Sequence, residues 1–195
     1  MKKLRLSVVL FCAFLLSGNI PALFAGENTG SGSLEILNPE YSRPPNADDN
    51  VEISDQSSFD DVMKKVNYYY ATRDFDKGIE LCRRTIERSN DPYQIGALNF
   101  SLSSNYLEKG IEPYQSNKDD SYYKMSVECA KKSLEVMPEN WQALANIGVV
   151  YFNMREWKEA ARYFAEAEKY LDSNDPNYAA IELQRGLSEE MGSRN

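Results

Sequence analysis

The chain has 195 residues, with 22 Lys and Arg against 30 Asp and Glu, no His and three Cys. That length allows one domain with a sizeable core, plus tails. Without His there is no Ser-His or Cys-His nucleophile pair, no His general base and no His metal ligand. The net charge of −8 argues against nucleic acid or an anionic membrane surface as the main partner, since both attract clustered Lys and Arg.

Residues 1–25 have the pattern of a secretory signal peptide. Three basic residues lie within the first five positions, an almost unbroken apolar run covers 6–16, and Ala25 offers a small residue for cleavage. The run is shorter than the roughly 20 residues of a membrane span, and an uncleaved anchor is the alternative interpretation. We predict export to the periplasm or cell envelope of a bacterium, or otherwise secretion, with no stable membrane insertion after cleavage.

Residues 26–57 are predicted to form a flexible leader. They contain Gly-Ser-Gly, Asn-Pro and Arg-Pro-Pro, with few apolar residues and no sustained periodicity. Such a composition buries too little apolar surface to offset the entropic cost of ordering the chain. The leader would connect the export signal to a folded domain.

Motifs that carry catalysis or hold a cofactor are missing from the sequence. It contains no G-x-x-x-x-G-K, no G-x-G-x-x-G, no G-x-S-x-G and no C-x-x-C. Adjacent acids such as Asp119 and Asp120 point apart by about 100° on a helix, so they make poor acid–base pairs. Cys82 and Cys129 lie at apolar helix positions, where Cys is commonly a small buried hydrophobe. A disulfide between them is the alternative. We predict no enzymatic activity, no metal site and no cofactor.

A spaced set of apolar and small residues repeats from Phe59 onward, with helical periodicity and no strand alternation. The segment 141–174 shows the pattern most clearly, with a turn at Arg155 and Glu156 between two helical halves. Its spaced positions are Leu144, Ile147, Gly148, Tyr151, Ala160, Phe164 and Ala167.

Two earlier segments, 96–140 and 59–92, carry the same pattern. In the first helix of the segment 96–140, Tyr106 corresponds to Tyr151 of the segment 141–174. These two tyrosines are 45 residues apart, which is the 34-residue period plus 11. We assign the 11 additional residues to a polar loop over 111–121. The matching positions before residue 141 are Tyr69, Gly78, Cys82, Leu102, Ser103, Tyr106, Tyr123, Ser126, Ala130 and Ser133.

This pattern resembles the tetratricopeptide repeat (TPR), a helix–turn–helix unit of 34 residues. The resemblance implies an all-α fold, a short right-handed α-solenoid of about three helix pairs in units 59–92, 96–140 and 141–174. Residues 176–191 are predicted to form a capping helix, with one face packed on the last pair and a charged face in water. A plain helical bundle is the alternative.

The resemblance also implies that the first helix of each pair lines a concave surface, here called the predicted groove. Its mixture of aromatic, aliphatic, amide and hydroxyl side chains suits an extended peptide or an amphipathic helix. Because Met63, Phe100 and Val149 are not basic, a clamp for a C-terminal carboxylate is not expected. The predicted groove consists of Met63, Asn67, Tyr70, Phe100, Ser101, Ser104, Leu107, Asn146, Val149, Phe152 and Asn153.

These features together predict an exported, non-enzymatic TPR scaffold. It would bind another protein or peptide in the predicted groove during envelope assembly. The acidic balance of the chain favours a basic or amphipathic partner. The alternative function is a periplasmic carrier that encloses a small apolar ligand and works with a transporter.

Overall fold

The computed structural model describes residues 53–54 and 57–194, and these contain seven α-helices and no strand. The all-α prediction is therefore confirmed for the described residues. The predicted signal peptide, and all of the predicted leader except residues 53, 54 and 57, lie outside them. The helices are α1 Phe59–Ala71, α2 Phe75–Ile86, α3 Pro92–Asn117, α4 Ser121–Val136, α5 Trp141–Met154, α6 Trp157–Glu168 and α7 Tyr178–Ser193.

Side-chain caps fix the starts of three helices. Ser58 accepts a hydrogen bond from the backbone N–H of Asp61 at the start of α1, and Asn140 accepts one from Ala143 at the start of α5. Asp91 caps α3 and is followed by Pro92, whose missing N–H costs nothing in the first turn. These local signals explain why the helices begin where they do.

Consecutive helices pack against each other along the chain, and α3 also contacts α1 and α5. The turns within the pairs α1–α2, α3–α4 and α5–α6 each contain one basic residue with a left-handed backbone, namely Arg73, Lys118 and Arg155. The first and third turns match closely, since Asp74 and Glu156 have φ of −86° and ψ of 61° and 67°. The helices that follow them, α2 and α6, both have 12 residues.

The predicted loop over 111–121 is wrong for most of its length. Helix α3 continues to Asn117, α4 begins at Ser121, and only residues 118–120 connect them. Lys109 and Gly110, which immediately precede the predicted loop, lie inside α3 and do not end it. A Cβ atom at Gly110 would lie 2.7 Å from Cδ1 of Tyr123, so this glycine allows α3 and α4 to approach closely rather than ending a helix.

The interior contains two main clusters of buried side chains. The first cluster lies among α1, α2, α3 and α4 and includes Val66, Cys82 and Leu98, while the second connects α3 to α7 and centres on Phe164. A Cβ atom at Gly148 would lie 2.8 Å from Cε1 of Phe164, so the α5 backbone rests directly on this ring.

Candidate partner-binding surface

Five residues of the predicted groove are interior residues. Leu107 is 1% exposed, Val149 is 4% exposed and Asn146 is fully buried, and Ser101 and Ser104 are buried as well. Their side chains pack between neighbouring helices and do not reach the surface. They can support a binding surface but cannot touch a partner, which corrects their assignment as contact residues.

Hydrogen bonds hold the polar members of this interior group. Nδ2 of Asn146 donates to Oγ of Ser103 at 3.1 Å and to Oγ of Ser104 at 3.0 Å. The hydroxyl of Ser126 donates to the backbone carbonyl of Ser103 at 2.8 Å. Since these residues lie on α5, α3 and α4, the cluster ties two helix pairs together. The amide of Asn146 therefore bonds within the chain, whereas the sequence prediction assigned it to the backbone of a partner.

The other six residues of the predicted groove reach the surface to different degrees. Asn67 is exposed, whereas the remaining five are half-buried. Phe152 meets the ring of Trp157 edge-on at 5.1 Å between centroids, and the Tyr70 ring lies 5.9 Å from that of Phe75. The half-buried members are Met63, Tyr70, Phe100, Phe152 and Asn153. One side of each of these five side chains packs against the protein, and the other side is open to contact with a partner.

A buried carboxyl group lies beside this surface and was missed by the sequence prediction. The side chain of Glu108 is 5% exposed, and its Oε2 lies 3.8 Å from Nη1 of Arg73 in the turn after α1. Burial raises the pKa of Glu108, and Arg73 opposes that rise. Burial, together with Glu108, also raises the pKa of Tyr70, whose hydroxyl has no hydrogen-bond partner in the structure. The 45-residue spacing that aligns Tyr106 with Tyr151 also aligns Glu108 with Asn153, a residue of the predicted groove. That alignment could have identified Glu108 as a residue beside the groove.

We expect Glu108→Gln to raise the free energy of unfolding at pH 7. The folded carboxyl group has a pKa above its ordinary value of 4.5, so the folded state holds its proton more tightly than the unfolded state. Stability contributed by Glu108 therefore falls as the pH rises from about 4.5 through the folded pKa, and it stays lower above that pKa. A neutral amide removes this loss, which urea unfolding at a series of pH values would measure.

Glu112→Gln is the matched control, because Glu112 is exposed on the same helix. The control should leave the pH profile of stability close to that of the unmodified chain. The ion pair lost with Glu108 is weak, since Arg73 is 68% exposed. Parallel stability profiles for Glu108→Gln and the unmodified chain would contradict the assignment.

Helix α7 presents an apolar surface that the capping prediction did not anticipate. Its buried side includes Ala180, Ile181, Gln184 and Ser188. Beside them, Nε of Arg185 donates a hydrogen bond to Oε1 of Glu168 at 2.8 Å. The opposite side, here called the outer face, consists of Ala179, Glu182, Leu183, Gly186, Leu187 and Glu190, which line a shallow groove open to solvent.

The outer face could have been found in the sequence. Adding the 34-residue period to Val149, Phe152 and Asn153 of the predicted groove gives Leu183, Gly186 and Leu187. Leu183 is 51% exposed, and it lies in one row with Ala179 and Leu187.

Both described cysteines are free thiols in the first cluster. Cys82 is fully buried and Cys129 is 9% exposed. Burial raises the pKa of Cys82 to about 12 and that of Cys129 to about 11. They act as small apolar side chains in the structure, and no disulfide joins them.

The residues above give the chain a stack of helices with two candidate surfaces, the predicted groove and the outer face. No protein-family model matches this chain. Within residues 53–54 and 57–194, no three Asp, Glu or Cys side chains are grouped so that they could bind a metal ion. None of the described helices combines the length and the apolar character needed to cross a membrane.

Proposed function

We propose that this protein is an exported, non-enzymatic scaffold of the TPR type that binds another protein or peptide. The observation that carries the proposal is the repeated geometry of the pairs α1–α2 and α5–α6. Their turns share a left-handed Arg and nearly equal dihedral angles, and the helices after the turns have equal lengths. Repetition of this kind is typical of solenoids, whose stacked units form extended binding surfaces.

The binding surface in this proposal is the solvent-facing part of the predicted groove. Tyr70, Phe100 and Phe152 supply half-buried aromatic edges, and Asn67 and Asn153 supply amides beside them. Aromatic side chains that are already held by packing lose little entropy on binding, so they are effective anchors for a peptide. A basic or amphipathic partner would also be attracted by the acidic chain.

The test is affinity capture with crosslinking in envelope extracts of the source organism. Tyr70→Ala, Phe100→Ala and Phe152→Ala are combined in one chain, and we expect this variant to lose a crosslinked partner that the unmodified chain retains. A matched control combines Tyr93→Ala, Met125→Ala and Tyr170→Ala, which remove side chains that are 69%, 40% and 38% exposed. The control should capture the partner normally.

Circular dichroism must show that both triple variants remain helical. Because the three groove aromatics also contribute to packing, Asn67→Trp provides a second variant that obstructs the surface from an exposed position. Capture that survives both the groove triple and Asn67→Trp would overturn the groove assignment.

Native mass spectrometry of the same purified protein tests the carrier alternative. A carrier requires an enclosed space beside the inward residues, whereas Leu107 and Val149 are packed within the second cluster. We therefore expect the mass of the bare polypeptide. A retained small molecule would favour the carrier instead.

A further inference from the structure

We propose that the outer face of α7 is a docking site for a basic amphipathic helix of another protein. The site lies on α7, whereas the residues of the predicted groove lie on α1, α3 and α5. The 34-residue period makes Leu183, Gly186 and Leu187 the next positions after the groove residues of α5. Three observations on the outer face support the inference: an apolar row in which Leu183 is exposed and Leu187 half-buried, a glycine with open space above it, and two carboxylates without a base between them.

The apolar row consists of Ala179, Leu183 and Leu187, spaced four residues apart on α7. Residues at this spacing form a ridge along a helix, and a parallel row of Glu182, Gly186 and Glu190 lies beside it. The shallow groove described above lies between these two rows. Side chains of a second helix fill such grooves when helices stack, and α7 itself packs against α6 in the preceding step of the array.

Gly186 has no explanation within the described chain. A glycine inside a helix costs about 1 kcal/mol relative to alanine. At Gly78, Gly110 and Gly148, an added Cβ would come within 3.0 Å of a neighbouring side chain, so close packing explains these glycines. At Gly186 an added Cβ would meet no described atom within 4 Å. The missing side chain leaves a notch between Leu183 and Glu190 that a large side chain of a partner can occupy.

The charges on the outer face select the partner. Glu182 has no ion-pair partner among the described residues, and Glu190 pairs with Arg194 near the end of the helix. The groove lining contains both carboxylates and no basic residue. Lys or Arg side chains flanking the apolar stripe of a partner helix would complement them, and the eight-residue separation of the two acids corresponds to about 12 Å along the axis.

Two other occupants, a second copy of the chain and its own leader, fit the outer face less well. A second copy would bring four carboxylates into the interface without a base from the groove lining. In the sequence, the apolar leader residues Leu34, Ile36 and Leu37 stand among Glu35 and Glu40, so that segment is acidic too. A single helix face is small compared with the roughly 800 Å² that each partner buries in a standard interface. We therefore expect a weak and reversible complex.

The experiment measures binding of a designed peptide to the full chain by fluorescence anisotropy. The probe is a helical peptide with a leucine stripe flanked by Lys, and the matched peptide carries Glu in place of each Lys. We expect the Lys peptide to bind more tightly by about tenfold or more, and its affinity should decrease as salt is added.

Variants of the outer face locate the site. Leu183→Lys should weaken binding of the Lys peptide by about tenfold or more. Gly186→Ala should also weaken it, because the methyl group fills the notch, while the thermal stability of the chain stays equal or rises. Glu182→Gln should reduce both the affinity and its salt dependence. The controls, Met125→Lys and Glu139→Gln, change exposed residues on other parts of the array.

Several results would overturn the inference. Equal binding of the two peptides would exclude charge selection, and unchanged binding by both Leu183→Lys and Gly186→Ala would place the site elsewhere. A dimer in light scattering that Leu183→Lys dissociates would assign the outer face to a second copy. The triple variant of Tyr70, Phe100 and Phe152 should bind the peptide normally, so failure here is distinguishable from failure of the groove proposal.

Discussion

Replacing Phe164 by Ala is expected to lower the free energy of unfolding by about 3–5 kcal/mol. The ring is fully buried at the centre of the second cluster and lies against the backbone of α5 at Gly148. Truncation removes the apolar contacts of the ring and leaves a cavity that the rigid helix cannot fill. Since domains of this size are stable by about 5–15 kcal/mol, the loss is a large fraction of the total. Urea unfolding followed by circular dichroism would measure it.

Tyr93→Ala is the control for Phe164→Ala. Tyr93 is an aromatic residue in the first turn of α3 that is 69% exposed, so its removal should change stability by no more than about 0.5 kcal/mol. Equal losses for the two substitutions would show that Phe164 does not occupy the interior position described here.

Gly148→Ala is expected to cost about 1–3 kcal/mol, although alanine is the better helix former. The added methyl group would lie 2.8 Å from the Phe164 ring, so the ring or the helix must shift. Gly186→Ala is the matched control, because the same substitution in α7 meets open space and should stabilise the chain by up to about 1 kcal/mol. Opposite signs for the two glycines are the result to look for in urea unfolding.

A double-mutant cycle sharpens this second prediction. When Phe164 is already Ala, the methyl group at position 148 no longer meets the ring. Gly148→Ala should then become neutral or stabilising, which gives a coupling free energy of about 0.5–3 kcal/mol between the two sites. Additive effects would contradict direct contact between Gly148 and Phe164.

The helical class and the turn at Arg155 and Glu156 were predictable because they depend on local spacing. Gly148, Phe164 and Ser126 occupy positions that the repeat pattern reserves for small or large side chains, and all three are buried as expected. The length of α3 was not predictable in the same way. A glycine inside a periodic segment can end a helix or admit a neighbouring ring, and only the position of Tyr123 decides between these for Gly110.

The exposure of the predicted groove depended on contacts between repeats. Asn146 and Ser104 are 42 residues apart and bond each other across two helix pairs, which spacing within one repeat does not reveal. Burial of Leu107 and Val149 likewise follows from how closely α3 and α5 approach. Sequence periodicity identifies which side of a helix faces inward, whereas the packing of neighbouring helices decides whether that side remains open.

The long helix α3 has a consequence for how the described domain unfolds. In an ideal solenoid each unit contacts only its neighbours, so units can fray from either end one at a time. Helix α3 spans about 39 Å at 1.5 Å per residue, and it contributes Leu98 and Leu102 to the first cluster and Leu107 to the second. Loss of α3 would expose both clusters at once. Because α3 belongs to both clusters, it couples their stability. The described domain should therefore unfold as one cooperative unit.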